Sequence, residues 1–247
     1  MMASFVDITE RKMAQESLKE TLEKVQALNE KLGVVGKLTR HDVRNKLSVV
    51  TSNVFLAKRK LTGDHRVLEH LSEIEPAIRQ VQEIFEFART YERLGVEELA
   101  YVNVEKTVGE AVSLFSDLQG VKVVNDCYGL TVLADSLLRQ LFYNLIDNSL
   151  KYGEHVTKVR VYFEEGGKDQ LKLVFEDDGV GIPKVEKEKI FKESYGKGTG
   201  YGLYLIRKMC EVYGWNIRET GKQGKGAQFT ITIPKMSESG KIAFRLH

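Results

Sequence analysis

Two asparagines and a lysine stand at helical spacing in the middle of the chain. Asn144, Asn148 and Lys151 follow one another at i, i+4 and i+7 within residues 134–152, so on a helix they form one polar stripe beside an apolar face. Asn has a weak helix propensity, and surface solvation accounts for only one of the two. Carboxamide oxygens are ligands that Mg²⁺ accepts, and an ammonium group attracts phosphate. The stripe therefore predicts a surface that holds a metal and a phosphate.

Two glycine-rich segments follow this stripe. Residues 177–183 begin with Asp177 directly after the β-like run Leu171–Glu176, where a carboxylate can accept a hydrogen bond from an amino group. Taken alone, this segment is explained equally well as a glycine-rich turn. Residues 196–203 run into an apolar helix, and glycine backbone at a helix N-terminus offers N–H donors to phosphates. Its spacing is neither a Walker A loop nor a dinucleotide fingerprint.

His41 lies on a helix predicted from about residue 34 to residue 61. The apolar residues of this helix share one side, and His41 falls on the opposite side, facing water. Asp42 is its neighbour, and Asn45 shares its face because residues four apart meet on a helix. The predicted apolar side consists of Val43, Leu47, Val50, Val54, Ala57 and Leu61.

Residues 10–98 are predicted to be almost continuous helix. Leu18, Val25 and Leu32 recur every seven residues, as in a short coiled coil. A second long helix begins after a turn at residues 61–65, and Pro76 inside it should either kink the helix or free a carbonyl group. A hairpin of two helices is too thin to bury both apolar stripes, so we predict a four-helix bundle formed with a second copy, hence a homodimer.

The character of the sequence changes after Gly95. Helices are predicted at residues 104–118, 134–152 and 201–214, and strands at Val121–Asn125, Lys158–Phe163, Leu171–Glu176 and Gln228–Ile233. This mixture predicts an α/β sandwich of about 130 residues, with helices on one face of a mixed sheet. Residues 236–247 are assigned to a tail, and the chain is predicted to be frayed from about residue 235 onward.

The composition sets limits on location and partners. A net charge of +2 gives no reason to expect nucleic-acid binding, and no apolar run approaches the about 20 residues that cross a bilayer. We therefore expect a cytoplasmic protein, or the cytoplasmic part of a membrane receptor. Cys127 and Cys210 lack metal-ligand spacing and are interpreted as buried or half-buried thiols in a reducing compartment.

The ordered set of motifs resembles the sensor histidine kinase family across nearly all of residues 10–234. The matching segments are the phospho-acceptor box at 38–47, the N box at 144–152, the first glycine box at 177–182, part of the F box at Ile190 and Phe191, and the second glycine box at 198–203. The resemblance implies an α+β chain: the end of a PAS-like domain (1–12), a coiled-coil linker (13–33), a dimerisation and phosphotransfer hairpin (34–98), an ATP-binding catalytic domain (99–235) and a tail (236–247).

The same resemblance implies a Bergerat-type site for ATP and Mg²⁺. Asp177 would bind the adenine amino group, Asn148 would hold Mg²⁺, and residues 184–197 would be a mobile lid. Asn144 and Lys151 would lie near the phosphates and Tyr152 against the nucleoside. The implied nucleotide-binding set is completed by Gly179, Gly181, Lys197, Gly198, Thr199, Gly200, Gly202 and Leu203.

His41 is implied to take the γ-phosphoryl group of Mg-ATP and to pass it to an aspartate in the receiver domain of a response regulator. Asp42 stands where Glu is usual and would hold one imidazole proton, and Asn45 stands where Thr is frequent and would orient water for dephosphorylation of the regulator. Lys46 replaces a frequent proline, so the kink after the acceptor should be missing. Ser194 and Tyr195 replace the second phenylalanine of the F box.

Three other interpretations use a related nucleotide site. An ATP-driven conformational machine, like the chaperone and mismatch-repair ATPases, would need a catalytic acid, for which Asp147 is a candidate. A dimeric relay would use its nucleotide only to set conformation. A protein-serine kinase would not need an acceptor hairpin. Phosphate on the protein that is labile in acid and stable in base would favour the histidine kinase.

Overall fold

The computed structural model describes residues 12, 14–15, 18–19, 21, 43–59, 65–167, 169–196, 198–237 and 239–247. The chain forms two compact units, Met1–Phe85 and Glu86–His247. The predicted PAS-like segment, nearly all of the predicted coiled coil, and the acceptor pair His41 and Asp42 lie outside the described residues. In the described part, we find no helix whose length and apolar character would let it cross a membrane.

The described part of the first unit is a pair of helices, as predicted. Residues 43–59 are helical (α1), and α2 runs over His65–Arg93. Lys58 on α1 forms an ion pair with Glu75 on α2, with 3.0 Å between Nζ and Oε1, and Val54 and Ile78 are buried. These contacts show that the two helices lie side by side.

Pro76 lies inside α2 and does not end it. A proline inside a helix removes one N–H donor and frees the carbonyl four residues earlier, at Ser72. Both residues are exposed, so water can satisfy that carbonyl. The helix therefore tolerates the proline.

The predicted apolar sides of both helices are only partly covered. Val43, Leu47 and Ala57 are half-buried, but Val50 is 43% exposed. On α2, Ile74 and Ile84 are 39% and 42% exposed. Together with Val49, Phe55 and Leu56, they leave apolar surface on the hairpin that its own two helices do not cover.

The second unit contains two sheets and three longer helices. The five-stranded sheet has the order β2-β4-β5-β7-β6, with β2 and β4 parallel and the other neighbours antiparallel, and the three-stranded sheet has the order β1-β3-β8. The strands are β1 (Ala100–Asn103), β2 (Lys122–Asp126), β3 (Leu130–Ala134), β4 (Lys158–Glu165), β5 (Gln170–Asp177), β6 (Asn216–Glu219), β7 (Gln228–Pro234) and β8 (Phe244–Leu246). The helices are α3 (Val104–Val112), α4 (Leu138–Tyr152) and α5 (Gly202–Val212), with a short 3₁₀ turn at Lys189–Phe191.

Alternating apolar residues direct one face of the larger sheet toward the helices. Leu173, Ile231 and Ile217 are buried neighbours in register across β5, β7 and β6. The opposite face is polar, and there Arg160 of β4 binds Asp126 of β2 at 2.7 Å. Because α4 packs between α3 and α5, its apolar side closes a single core against this sheet. The predicted sandwich is confirmed.

The predicted frayed tail is wrong. β8 pairs with β3, Ala243 is 1% exposed, and the His247 N–H group donates to the carbonyl of Gly129 at 2.9 Å. β3 is a largely buried strand, so its backbone N–H and carbonyl groups need hydrogen-bond partners along both edges. β1 pairs with one edge and β8 with the other. The short strands β1, β3 and β6 were also missed, and α3 ends at Val112 rather than at residue 118.

The end of α2 belongs to the second unit. Phe87 stacks on Tyr201, with ring centroids 4.3 Å apart, and the Arg93 guanidinium donates to the Ser136 hydroxyl at 3.0 Å. The catalytic domain was predicted to begin at residue 99, thirteen residues later than the compact unit that starts at Glu86. Cys127 and Cys210 are buried free thiols, and burial raises the pKa of Cys127 to about 12.

Removing residues 243–247 should destabilise the second unit by about 2–4 kcal/mol, because the buried Ala243 and the pairing of β8 would be lost. Urea unfolding followed by the emission of Trp215 measures this, since Trp215 is the only tryptophan and is buried in this unit. Leu246→Ser is the control, because Leu246 is 54% exposed and should cost less than about 0.5 kcal/mol. An unchanged urea midpoint in the truncated chain would contradict the role of β8.

Candidate functional site

Helix α4 supplies one wall of the site. Its apolar residues face the core, and its last two turns place polar side chains against both glycine-rich segments. The buried residues are Leu138, Leu141, Phe142, Leu145, Ile146 and Ser149. The two segments meet α4 at four residues, Asn148, Ser149, Tyr152 and Gly153.

Asp177 is the most firmly held acid of the site. It ends β5 and is 8% exposed. The Ser149 hydroxyl donates to its Oδ2 at 2.6 Å, and the backbone N–H groups of Gly179 and Ala227 donate to its Oδ1, each at 3.0 Å. These three donors come from three separate segments, so the carboxylate has a fixed orientation. A carboxylate oxygen has room for more than one donor, so Asp177 can still accept from a ligand.

Asp178 closes the loop after α4. The Thr157 hydroxyl donates to its Oδ2 at 2.5 Å, and the N–H groups of Thr157 and Lys158 donate to its Oδ1 at 2.8 and 3.0 Å. Desolvation alone would raise the pKa of Asp178, but these hydrogen bonds outweigh it and lower the pKa below the usual 3.8. Asp178 is therefore a structural anion that keeps the first glycine segment near α4.

Glycine is required where the first segment crosses its neighbours. A Cβ at Gly179 would lie 2.4 Å from the carbonyl oxygen of Gly153, and the Val180 N–H group donates to that same oxygen at 3.1 Å. Gly226, in the loop before β7, has φ +106, and its Cβ would lie 1.7 Å from the carbonyl oxygen of Asp177. A Cβ at Gly181 would in turn lie 2.7 Å from the carbonyl oxygen of Gly226. The two loops are therefore in backbone contact.

The second glycine segment brings the start of α5 to Asn148. A Cβ built on Gly202 would lie 3.8 Å from Oδ1 of Asn148 and 3.9 Å from its Nδ2. The Nδ2 atom is buried and has no hydrogen-bond partner within the described ranges. No side chain caps α5, and its first turn carries no acidic residue. The site thus holds an unsatisfied amide beside the positive end of a helix, which suits an anionic ligand.

Tyr152 contacts the same segment nearer its beginning. A Cβ at Gly198 would lie 2.6 Å from the Tyr152 hydroxyl oxygen, and one at Gly200 would lie 2.6 Å from the Tyr195 nitrogen. Lys151 forms an ion pair with Asp147 at 2.9 Å, and Asn144 accepts a hydrogen bond from Gln140 at 2.9 Å. Both therefore have partners on α4 itself in this structure.

The connection between the two glycine segments is fixed at its first half. Lys187 binds Glu219 at 2.5 Å and also donates to the carbonyl of Gly221. Phe191 is 2% exposed, meets Phe229 edge-on at 6.2 Å and lies 4.2 Å beneath the guanidinium of Arg207. These contacts anchor the predicted lid to the core as far as Phe191.

The structure brings together Asn148, Tyr152 and Asp177 with both glycine segments, as the motifs predicted. Thr199 and Leu203 are half-buried there, and Lys197 lies outside the described residues. Asn45 is exposed on α1 in the first unit. Sequence reasoning missed Ser149, Thr157, Gly226 and Ala227 as supports of the site. Three glycines within residues 221–226, directly before a predicted strand, were the available signal.

A magnesium nucleotide fits these residues. Among the residues that the structure describes, no group of three or more His, Cys, Asp and Glu side chains could hold a metal alone. Mg²⁺ is commonly held by one or two protein oxygens together with substrate phosphates, so the Asn148 carboxamide beside the start of α5 is a suitable donor. The oxygen and nitrogen of an amide exchange places on rotation, so either orientation of Asn148 is open to a ligand.

The sequence matches a known family model and is similar to two bacterial signalling proteins. The family model for histidine kinase-, DNA gyrase B-, and HSP90-like ATPases matches residues 134–237. The aerobic respiration control sensor protein ArcB of Escherichia coli strain K12 is 30% identical over 266 residues, covering 96% of this chain and 32% of ArcB. Sporulation kinase E of Bacillus subtilis strain 168 is 23% identical over 251 residues, covering 94% of this chain and 32% of that kinase. The chain spans about a third of the length of these relatives.

Solved structures share the fold. Full-length ShkA in complex with AMPPNP aligns with a TM-score of 0.61 at 23% identity, over 86% of this chain and 46% of that one. The histidine kinase AdeS of Acinetobacter baumannii aligns with a TM-score of 0.53 at 19% identity, over 78% of this chain and 97% of that one. The predicted α+β organisation, a helical hairpin followed by an α/β domain, is confirmed.

Gly226→Ala should destabilise the second unit by more than about 3 kcal/mol and weaken binding of AMPPNP, because the added methyl group displaces the backbone of Asp177. Gly224→Ala is the matched control: its φ is +79, but a Cβ there meets nothing within 4 Å. That control should cost only about 1–2 kcal/mol, the strain of a left-handed alanine. Urea unfolding and calorimetric titration with AMPPNP measure both effects, and equal losses in the two variants would contradict the close approach.

Proposed function

This chain is related to the sensor histidine kinases, as its motifs predicted, and we propose that it is their autophosphorylating part. In this proposal His41 takes the γ-phosphoryl group of ATP and passes it to an aspartate in the receiver domain of a response regulator. The observation that carries the proposal is the meeting of Asp177, Asn148 and the start of α5 around one helix.

Asp177 is proposed to bind the adenine ring. Its carboxylate is held by Ser149, Gly179 and Ala227, so it presents a fixed acceptor to the exocyclic amino group. Adenine carries this amino group at C6, where guanine carries a carbonyl oxygen, so a hydrogen-bond acceptor at this position favours adenine. A rigid acceptor also loses little entropy on binding.

Asn148 is proposed to hold Mg²⁺, with the phosphates near the first turn of α5. When bound, the metal ion would neutralise charge on the phosphates, which is the main electrostatic requirement of phosphoryl transfer. The chain itself contributes the uncapped N–H groups of α5, which act on the same charge without needing to move. Asn144, Lys151, Tyr152 and Lys197 are proposed to complete the surface around the nucleotide.

His41 is proposed as the nucleophile and Asp42 as the group that orients it. An exposed imidazole has a reference pKa of about 6.5, so its neutral, nucleophilic form dominates at neutral pH. A carboxylate that accepts a hydrogen bond from the N–H group of one ring nitrogen holds the imidazole so that the lone pair of the other nitrogen faces the phosphorus. The resulting phosphohistidine then loses its phosphoryl group to the carboxylate of the receiver domain.

The first unit is proposed to dimerise. Val49, Val50, Phe55 and Leu56 on α1 are exposed in the single chain, and so are Ile74 and Ile84 on α2. A second hairpin would cover this surface in a four-helix bundle. The location is proposed to be cytoplasmic, where ATP and a receiver domain are present, and residues 1–12 are proposed to be the end of a PAS domain.

His41→Gln should abolish transfer of label from γ-labelled ATP to the protein while AMPPNP binding stays unchanged. The labelled wild-type protein should lose its phosphate in acid and keep it in base. His70→Gln is the matched control, since His70 is an exposed histidine of the same hairpin and should keep full labelling. Asn148→Ala should lose labelling together with Mg²⁺-dependent binding of AMPPNP. Full labelling of the His41→Gln protein, or an acid-stable phosphate, would refute the kinase and favour a conformational ATPase or a protein-serine kinase.

Asn45→Ala should retain autophosphorylation and slow the dephosphorylation of a phosphorylated receiver domain by about tenfold or more, since a positioned polar group contributes on that scale. Asn45 is exposed on α1. It follows His41 by four residues in the sequence, so on the predicted helix it would share the face of His41 and could orient a water molecule. Asn53→Ala, on the same helix and exposed, is the control. The assay follows phosphate release from the receiver domain in the presence of ADP. Equal rates in the Asn45→Ala and wild-type proteins would remove this role.

A further inference from the structure

Glu219 is a buried acid for which the proposed phosphoryl transfer has no use. It is the last residue of β6, and its side chain is fully buried. A buried carboxylate is costly unless hydrogen bonds and an opposite charge compensate it. Both of its oxygen atoms are compensated, and the partners belong to two different parts of the nucleotide site.

The Oε1 atom of Glu219 holds the loop between β6 and β7 at both of its ends. The backbone N–H group of Gly221 donates to it at 3.1 Å, and that of Gln228, the first residue of β7, donates at 3.2 Å. Between these residues, Gly224 and Gly226 both have positive φ. Because glycine leaves the backbone free to adopt other conformations, the shared acceptor limits where this loop can lie.

This loop supports Asp177. The Ala227 N–H group donates to Oδ1 of Asp177 at 3.0 Å, and the Asp177 N–H group donates to the Ala227 carbonyl at 2.9 Å. The next N–H group along the chain, that of Gln228, donates to Glu219. Two successive backbone N–H groups thus bind two buried carboxylates. A displacement of the chain at Glu219 would therefore move the donor that orients Asp177.

The Oε2 atom of Glu219 holds the connection between the two glycine segments. It forms an ion pair with Nζ of Lys187 at 2.5 Å, and no other group within the described ranges binds this oxygen. Lys187 also donates to the Gly221 carbonyl, so it contacts the loop as well. The Lys187 side chain is only 20% exposed, and a largely buried ion pair is weakly screened by salt. One carboxylate therefore joins the predicted lid to the loop that supports Asp177.

We propose that Glu219 is a positioning residue for the recognition of adenine. Through the N–H groups at the start of β7 it keeps the Asp177 carboxylate aimed at the amino group of the base, and through Lys187 it ties the lid to the same loop. This role rests on the proposed function, because it requires that Asp177 bind adenine. A residue that only stabilised the fold would leave the base preference of the folded protein unchanged, so base preference is the quantity to measure.

The test compares ADP with purine riboside 5′-diphosphate, which lacks only the amino group at C6. Calorimetric titration of the wild-type protein should show that ADP binds about tenfold or more tightly, since a hydrogen bond to a charged acceptor contributes on that scale. Equal affinity of the wild-type protein for the two nucleotides would refute the adenine role of Asp177 itself, and with it the role of Glu219.

Two double variants differ only in whether they offer the loop an acceptor. Lys187→Met combined with Glu219→Gln, and Lys187→Met combined with Glu219→Leu, both remove the whole ion pair, which a buried site often tolerates. With Gln, the amide oxygen can accept from Gly221 and Gln228, so the preference for ADP should stay within about threefold of the wild-type value. With Leu, no acceptor remains, and the preference should fall to about twofold or less.

Glu165→Gln is the control, since Glu165 is an exposed glutamate that ends β4 in the same sheet, and it should keep the wild-type preference. Urea unfolding followed by the emission of Trp215 shows which variants are folded. If the variant with Leu does not fold, the single variant Glu219→Gln takes its place. Its one acceptor oxygen cannot serve both the loop and Lys187, so its preference for ADP should also fall.

The role of Glu219 alone is refuted when the wild-type protein prefers ADP but the two double variants show equal preferences. A wild-type preference in the folded Glu219→Gln protein would refute it in the same way, because neither result depends on whether Asp177 binds adenine.

Discussion

The hydrogen bonds that converge on Asp177 join parts of the chain that are far apart in sequence. Ser149 comes from α4, Gly179 from the loop after β5, and Ala227 from the loop before β7. Because all three donors point to one carboxylate, the positions of α4 and of both loops depend on each other. The close backbone contacts at Gly179, Gly181 and Gly226 follow from this convergence, since a side chain at any of them would separate the segments. The adenine-binding role proposed for Asp177 therefore rests on the same bonds that hold the domain together.

Unusual local chemistry made part of the site predictable from sequence. Two asparagines inside a helix and a glycine-rich run before another helix conflict with ordinary propensity, and both lie at the site. Ser149 was not predictable, because a serine on the buried side of a helix is common and only the fold brings Asp177 to it. The strands β3 and β8 were missed for a different reason. β8 has three residues, and its pairing with β3 is a long-range contact that no local pattern encodes.

The two units differ in how completely each buries its own apolar surface. The second unit closes a single core between three helices and a sheet whose outer face is polar. In the first unit, Val54 and Ile78 are buried but large apolar side chains of both helices remain exposed. The proposed four-helix bundle would cover these side chains, and the heptad repeat of Leu18, Val25 and Leu32 agrees with that proposal. Periodicity identified the helices correctly, and the exposure of Val50, Ile74 and Ile84 agrees with the expectation that the hairpin cannot bury its apolar residues alone.

The anchoring of Lys187 and Phe191 has a consequence for the entropy of nucleotide binding. Both residues are fixed to the core, through Glu219 and Phe229 respectively. Any ordering that accompanies nucleotide binding is therefore confined to the residues that follow Phe191. Fixing the backbone of one residue costs about 1–2 kcal/mol of free energy. Because the first half of the segment is already ordered, the entropic cost of ordering the segment on nucleotide binding is smaller by several kcal/mol. If the proposed lid closes over ATP, a first half that is already ordered would keep the change in free energy of opening and closing small.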